Sequence, residues 1–473
     1  MTFASKIFMF CFLPIFLICY FGCKQIRTRN VVFIIFSLLF YSASKPIFLP
    51  ILLGSIGANF RLAIAIDIAD AHRRYRLLAW GAAGNLLVLA IFKYTGFAVE
   101  NLNALLGFAD ISLPVPRIAL PLGISFYTFH AISYIADVAR RRVTANRRFD
   151  EFMLYMSMFP QLVSGPIVRY SLVARQLHER RHTLGRFSAG MRIFVIGLAW
   201  KALLADQISR VADGVFDQAP APGFVEAWLG LYAYAMQIYF DFGGYSAMAV
   251  GLGVMVGFTL PRNFRVPYAS LSITDFWRRW HMSLSAWLRD YVYIPLGGNR
   301  VSPGRTYINL WTVFLLCGLW HGAGWTFVIW GAHHGLFLVM ERAGLGRLFA
   351  RLPRPAAHLY TLLAVFLGWV WFRASGVDRA ITLFKGLAGF NGLSELSVPM
   401  HIALTPVAGA ALVVAGLLAL WKWRLPQLRQ RATRLFGETG LALGDNAWVL
   451  ALLVVCLIEV GASAYSPFLY YRF

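Results

Sequence analysis

Two histidines sit where an ionisable side chain is costly to keep. His281 lies in the stretch D-F-W-R-R-W-H-M-S-L-S-A-W-L-R-D-Y (Asp275–Tyr291), and His321 in L-W-H-G-A-G-W, where two short apolar runs meet. A polar group at membrane depth is expensive and reads as functional by default. The hairpin Thr306–Met340, which carries His321, is barely long enough for two crossings at ~1.5 Å per residue. Its tip should stay at or below the membrane surface, with Gly322 and Gly324 leaving room beside the imidazole. A neutral histidine there could act as general base on a hydroxyl, worth roughly 10²–10⁴ in rate. A plain hydrogen bond to a neighbouring carbonyl is the other reading.

Helix spacing sorts Asp275–Tyr291 into two faces. Phe276, Trp280, Leu284, Trp287, Leu288 and Tyr291 form an apolar stripe, while Arg278, His281, Ser285 and Arg289 fall together opposite it. One amphipathic helix at the cytoplasmic interface is expected. On composition alone, membrane anchoring is favoured, with Arg278 and Arg279 meeting lipid phosphates. The functional reading is a basic face for a phosphate-bearing donor, to which His281 adds a proton-transfer group. The following Tyr293–Arg300 is a turn-rich link.

Other candidates are weaker. His333 and His334 point about 100° apart on a helix, so one pocket should not use both. No carboxylate or cysteine stands at metal-ligand spacing around them. Gly244-Tyr-Ser246-Ala-Met248 lacks the final glycine of a nucleophile elbow. In Phe240-Asp-Phe-Gly-Gly-Tyr-Ser246, Asp241 beside two glycines has either a polar structural role or a direct functional one. The glycines that follow, Gly251, Gly253 and Gly257, lack the context of a dinucleotide-binding turn. Close helix approach explains them better.

The elements that must position these residues are membrane helices. The chain has 473 residues, 59% of them hydrophobic and only 14% charged, with a mean hydropathy of +0.62. A soluble protein would carry about 25% charged residues, so this is a polytopic membrane protein. Spans are expected at Phe3–Phe21, Val31–Ser42, Ile47–Ile66, Leu77–Phe92, Ile118–Val138 and Ile193–Leu204. Further spans are expected at Phe224–Phe258, Thr306–Trp320, Trp325–Met340, Leu359–Phe372, Ile402–Trp421 and Trp448–Ala464. The first is read as a retained helix, because Lys24, Arg27 and Arg29 follow it without a small-residue cleavage pattern.

The net charge of +23 does not point to nucleic acid. Its cations sit in short loops, Lys24–Arg29, His72–Arg76, Arg140–Arg148, Arg262–Arg305, Arg342–Arg354 and Lys422–Arg434, as expected for cytoplasmic loops beside anionic lipid. Alternation then puts both termini outside, with about a dozen crossings. The five cysteines are scattered in apolar segments and read as reduced packing residues. Besides Ile238–Tyr245, which holds Asp241 and its two glycines, two segments depart from plain spans: Pro121–His130, with Asp137 beyond it, and Phe159–Pro166. Irregular backbone at this depth must be buried in protein or line a wet cavity, and both are read as cavity walls.

Several stretches resemble the membrane-bound O-acyltransferases, in particular the bacterial branch that acetylates alginate. They are Pro121–Tyr134, Phe159–Arg169, Phe240–Ser246, Arg262–Arg300, Gly318–Trp325, Trp330–Gly335 and Pro467–Phe473. The resemblance implies an all-α polytopic fold, a ring of about a dozen transmembrane or re-entrant helices around a funnel or channel. One domain would fill 1–473, with N-terminal helices over 1–117, a catalytic core over 118–345 and C-terminal helices over 346–473. The family's invariant histidine falls on His321. An upstream position that varies among Asn, Asp and His falls on His281. His333 stands where relatives often have an aromatic residue.

The implied activity is acyl transfer from a cytoplasmic thioester, acetyl-CoA or an acyl carrier, with no permanently bound cofactor and no metal. A periplasmic SGNH-type acetyltransferase would finish the modification of an exopolysaccharide. His321 and His281 would be catalytic, and Asp241, Trp280, Arg278, Arg289, Trp320 and His334 would line the substrates. From other classes, a transporter of the polysaccharide or its precursor fits a broken-helix membrane protein, as does a non-catalytic subunit docking a periplasmic enzyme. No inverted repeat is evident for the first.

Overall fold

The computed structural model of the chain describes residues 1–393, 396–420 and 425–462, with Ala109 and 425–443 as backbone only. Every regular element among these residues is a helix. The apolar runs fall largely within helices. Among the described residues, five helices are long and apolar enough to cross a membrane: Pro46–Ile68, Ala71–Leu106, Leu184–Gln218, Arg354–Arg373 and Gly444–Ala462. Phe8–Gly22 and Pro406–Leu420 are shorter apolar helices. The side chains of Lys422–Arg434 and the closing Pro467–Phe473 lie outside the described residues.

Two boundaries differ from expectation for local reasons. The run Leu77–Phe92 is the middle of a longer helix, Ala71–Leu106, opened by Asp70, whose carboxylate accepts from the Arg73 N–H. The run Ile118–Val138 becomes helical only at Ile124, after Gly123 in the left-handed region at φ 71°.

The chain divides into two compact units. The first comprises Met1–Gly190, Leu252–Pro261 and Gly322–Gly324. Its core is aromatic, with the Phe159 ring 5.2 Å from Phe16, 5.4 Å from Phe33 and 5.5 Å from Phe40 between centroids. The two irregular segments pack on each other here. A Cβ at Gly123 would collide with the Leu162 carbonyl, and the ring of fully buried His130 accepts from the Val168 N–H at 3.2 Å. Their irregular backbone is thus buried in protein, one of the two conditions under which it is tolerated.

The second unit comprises Met191–Gly251, Arg262–His321 and Trp325–Phe473. Helices Leu184–Ala199 and Phe224–Met255 cross at Gly197 and Gly244. A Cβ on Gly197 would lie 2.5 Å from the Gly244 carbonyl oxygen, and one on Gly244 2.6 Å from that of Gly197. This close crossing is the small-residue approach expected nearby, but other glycines make it. Gly257 is a turn at φ +89°, and Gly253 lies against the Leu260 side chain.

The hairpin of helices Pro303–His321 and Trp325–Met340 is built the same way. A Cβ on Gly318 would strike the Phe327 carbonyl, and one on Gly331 that of Phe314. We therefore expect Gly331→Ala to push the two helices apart and cost about 1–3 kcal/mol, read as a lower melting temperature in detergent. An unchanged melting temperature would mean the two backbones are not in contact.

The stretch Asp275–Tyr291 is not one helix, and here the expectation is corrected. Helix Ile273–Trp277 ends, His281 turns to φ 43°, ψ 53°, Met282–Leu288 begins anew, and Arg289–Tyr293 is a π-helical turn. Contacts distant in sequence cause the break. The Arg265 N–H donates to the Arg279 carbonyl at 3.0 Å, and Met282 N–H to the Asn263 carbonyl at 2.9 Å. The apolar stripe is buried at Phe276, Trp280, Leu284, Trp287 and Leu288. The basic face is not a face: Arg278 and Arg289 are exposed, while His281 is fully buried.

Candidate active site

The second unit brings His281 and His321 together. Their ring centroids are 6.5 Å apart, with His281 at 0% and His321 at 6% exposure. His281 is held by the segment around Asn263. The Asn263 Oδ1 lies 3.2 Å from His281 Nδ1, 3.2 Å from the Ser283 backbone N and 2.8 Å from Ser283 Oγ. The short helix before it is anchored by Glu341. That carboxylate accepts from the N–H groups of Ile273 and Thr274 and from the Thr274 hydroxyl, which suits an anion at a helix N-terminus.

His321 ends helix Pro303–His321. Its ring packs against Trp320 at 4.9 Å, Trp330 at 5.1 Å and Phe372 at 5.1 Å. Trp330 continues the array to His334 at 5.1 Å, and His334 meets Trp277 at 5.1 Å. His281 touches the same wall through Trp320 at 6.1 Å and Phe242 at 4.7 Å. An aromatic enclosure of this kind excludes water and strengthens each polar contact inside it.

Within this enclosure, His281 Nε2, Asn263 Nδ2 and Trp330 Nε1 are buried without a hydrogen-bond partner among the described residues. With His334 Nε2, buried in the same way, these ring and amide nitrogens suit a ligand that carries both hydrogen-bond donors and acceptors. Acyl transfer needs such a set: a group to take a proton and groups to meet a carbonyl oxygen as its charge grows. Among the described residues, no three His, Cys, Asp or Glu side chains gather as a metal site.

The other residues singled out from sequence are scattered around this centre. Trp320 contacts both imidazoles. His334 is fully buried and near Trp330, while His333 bonds the Ala364 carbonyl at 2.7 Å, so the adjacent pair has different partners. Trp280 stacks on Phe276 at 5.5 Å and lies 4.9 Å from Trp369. Arg278 is exposed, and Arg289, also exposed, pairs with Asp290 at 2.6 Å. Asp241 is 2.8 Å from the Lys201 ammonium, which is also 2.7 Å from Asp206.

Sequence reading passed over Asn263, Lys201 and Trp330. Lys201 carried a usable signal, because it is a lone cation inside the apolar run Ile193–Leu204. Asn263 stands in R-N-F-R-V-P-Y, and nothing local marks it as the partner of a histidine 18 residues on.

Comparison with known proteins identifies the family. A model of the membrane-bound O-acyltransferase family matches residues 121–372, which include both histidines and Asn263. The chain is 40% identical to the protein named "Probable alginate O-acetylase AlgI" of Pseudomonas putida, over the full length of both. It is 38% identical to a peptidoglycan O-acetyltransferase of Helicobacter pylori, across 83% of this chain and 81% of that one. A teichoic acid D-alanyltransferase of Bacillus subtilis is 29% identical, across 46% and 58%.

Proposed function

The chain belongs to the membrane-bound O-acyltransferase family and is a multi-pass membrane O-acyltransferase, and we propose that it passes acetyl groups from a cytoplasmic thioester towards an exopolysaccharide. The donor is acetyl-CoA or an acyl carrier. The route ends at a periplasmic SGNH-type acetyltransferase within a polysaccharide-modification complex. The protein sits among the lipids of the bacterial inner membrane with both termini periplasmic, the orientation that the basic loops favour.

The observation that carries this reading is the pair of buried imidazoles, 6.5 Å apart inside the aromatic enclosure. In it, His321 takes the proton of the attacking hydroxyl or carries the acyl group transiently, and His281 stands on the donor side. Trp280, Trp320 and His334 shape the walls. Binding donor and acceptor from opposite sides removes any need to move a free acetyl group through the bilayer.

Full-length protein in liposomes, given radiolabelled acetyl-CoA on the cytoplasmic face, should pass label to itself or to the periplasmic partner. Polysaccharide crossing with the donor left unconsumed would support transport instead and defeat the reading. Arg278 is exposed, and Arg289, the other exposed arginine of this stretch, is already engaged by Asp290. Arg278 is therefore the cation we assign to the donor phosphates. Arg278→Ala should raise the KM for acetyl-CoA roughly two- to fivefold, about what one exposed charge contact is worth, with kcat little changed. An unchanged KM would assign Arg278 to lipid.

A further inference from the structure

We propose that Trp330 is a catalytic residue, whose indole N–H donates to the acyl carbonyl oxygen and stabilises the charge that gathers there during transfer. This rests on the acyl-transfer reading, with His321 as the group that takes the hydroxyl proton.

Trp330 packs against two other indoles, Trp277 at 5.7 Å and Trp369 at 6.2 Å between centroids. Both of these have acceptors. The Trp277 Nε1–H donates to His334 Nδ1 at 3.4 Å, and that of Trp369 to the Tyr268 hydroxyl at 3.1 Å. Trp330 is fully buried, yet its Nε1 meets no acceptor among the described residues. An indole nitrogen only donates, and a buried donor left unpaired is costly enough to be rare. The unsatisfied indole is packed on His321, 5.1 Å between centroids.

Its other neighbours do not supply the missing acceptor. His334 is 5.1 Å away, but its Nδ1 lone pair is taken by Trp277. An imidazole that accepts at Nδ1 carries its hydrogen on Nε2, and that Nε2 is itself buried without a partner among the described residues. Phe372, at 5.0 Å, offers a π face, a weak acceptor beside a carbonyl oxygen. A ligand oxygen is what the N–H lacks.

The step balances with this donor in place. His321 takes the proton as the acceptor O–H bond breaks, and the oxygen forms a bond to the acyl carbonyl carbon. The π electrons of the C=O bond move onto its oxygen, where the Trp330 N–H meets them. The C=O bond re-forms as the C–S bond breaks, and the thiolate takes the proton from His321. Trp330 keeps its hydrogen throughout. Because the indole adjoins the histidine, base and donor serve one carbonyl group. A donor already fixed in an aromatic wall needs no reorganisation when the charge appears.

Transfer is followed in full-length protein in liposomes with radiolabelled acetyl-CoA. Trp330→Phe removes the N–H, and Trp330→benzothienylalanine replaces it with sulfur while keeping the shape of the ring system. Both should lower kcat on the order of 10²–10³-fold with the KM for acetyl-CoA nearly unchanged, because the bond strengthens as charge develops. In ¹⁵N-tryptophan-labelled wild type, the Trp330 indole signal is assigned by its loss in Trp330→Phe. It should move downfield on adding acetonyl-CoA, an unreactive ketone analogue of the donor. Full kcat in the benzothienylalanine variant overturns the proposal, even with a lower melting temperature, since a structural N–H acts on stability alone. An indole signal unmoved with acetonyl-CoA bound also overturns it. These two measurements decide if Trp330→Phe fails to fold. A dead His321→Ala beside a fully active Trp330→Phe removes the donor alone. Transfer that survives in His321→Ala, or acetyl-CoA left unconsumed by wild type, defeats the underlying reading and this proposal with it.

Discussion

Protein carrying His321→Ala is expected to insert normally and to lose acyl transfer by roughly 10²–10⁴-fold, the range for a positioned proton-transfer group. The size follows from where the ring sits. It is 6% exposed and in contact with Trp320, Trp330 and Phe372, so water cannot readily take over its role. It also closes helix Pro303–His321, where the negative end of the helix dipole suits a ring that gains positive charge in passing. Packing loss has to be separated from chemical loss, because an alanine leaves a hole among three aromatic rings. His321→Phe restores ring volume without a nitrogen. If packing were the cause, phenylalanine would rescue activity, whereas the chemical role predicts that both variants fail alike. Single-turnover release of CoA thiol, alongside melting temperature and size-exclusion profile, measures the two contributions. A well-folded His321→Ala protein with unchanged turnover would remove His321 from the mechanism. A carrier role further predicts that wild-type protein retains hydroxylamine-labile label when the acceptor is withheld.

The residues that made this site legible from sequence differ in kind from those that did not. His321 could be found because membrane burial makes an imidazole conspicuous and the short hairpin limits where it can lie. The spans were legible for the same reason, since a run of about 20 apolar residues is the length a bilayer crossing demands. His281 was singled out on the wrong kind of element, a continuous helix where the chain breaks. The string from Asp275 to Tyr291 contains neither glycine nor proline, so local spacing favours one continuous helix. The break at φ 43° is imposed by Asn263 and Arg265 through backbone hydrogen bonds. Tertiary pairing overrides periodicity here, and strain of about 1–3 kcal/mol is what such an override costs. Asn263 was silent because one asparagine in a loop has no spacing to betray its partner.

Lys201 and Asp241 give the second large expected effect, and it separates the two roles left open for the aspartate. Lys201 is 4% exposed and Asp241 2% exposed, with Nζ and Oδ1 2.8 Å apart and Asp206 2.7 Å from the same ammonium. Removing one member of a buried pair strands the other charge and typically costs ~3–5 kcal/mol, while removing both can be nearly neutral. Lys201→Met should therefore lower yield and melting temperature sharply, because Asp241 is left buried without its ammonium. Asp206 is more exposed, 24% against 2% by side chain, and can turn towards water. Adding Asp241→Asn to Lys201→Met should recover most of the stability, a coupling measurable as a double-mutant cycle. Activity then decides the role of the aspartate. If its carboxylate only balances Lys201, the recovered double variant transfers acyl groups at close to the wild-type rate. If the carboxylate contacts substrate, the double variant folds and fails to turn over. The geometry favours the first outcome. An aspartate within 2.8 Å of a buried ammonium has its charge already neutralised, and breaking that pair to meet a ligand would cost more than one hydrogen bond returns.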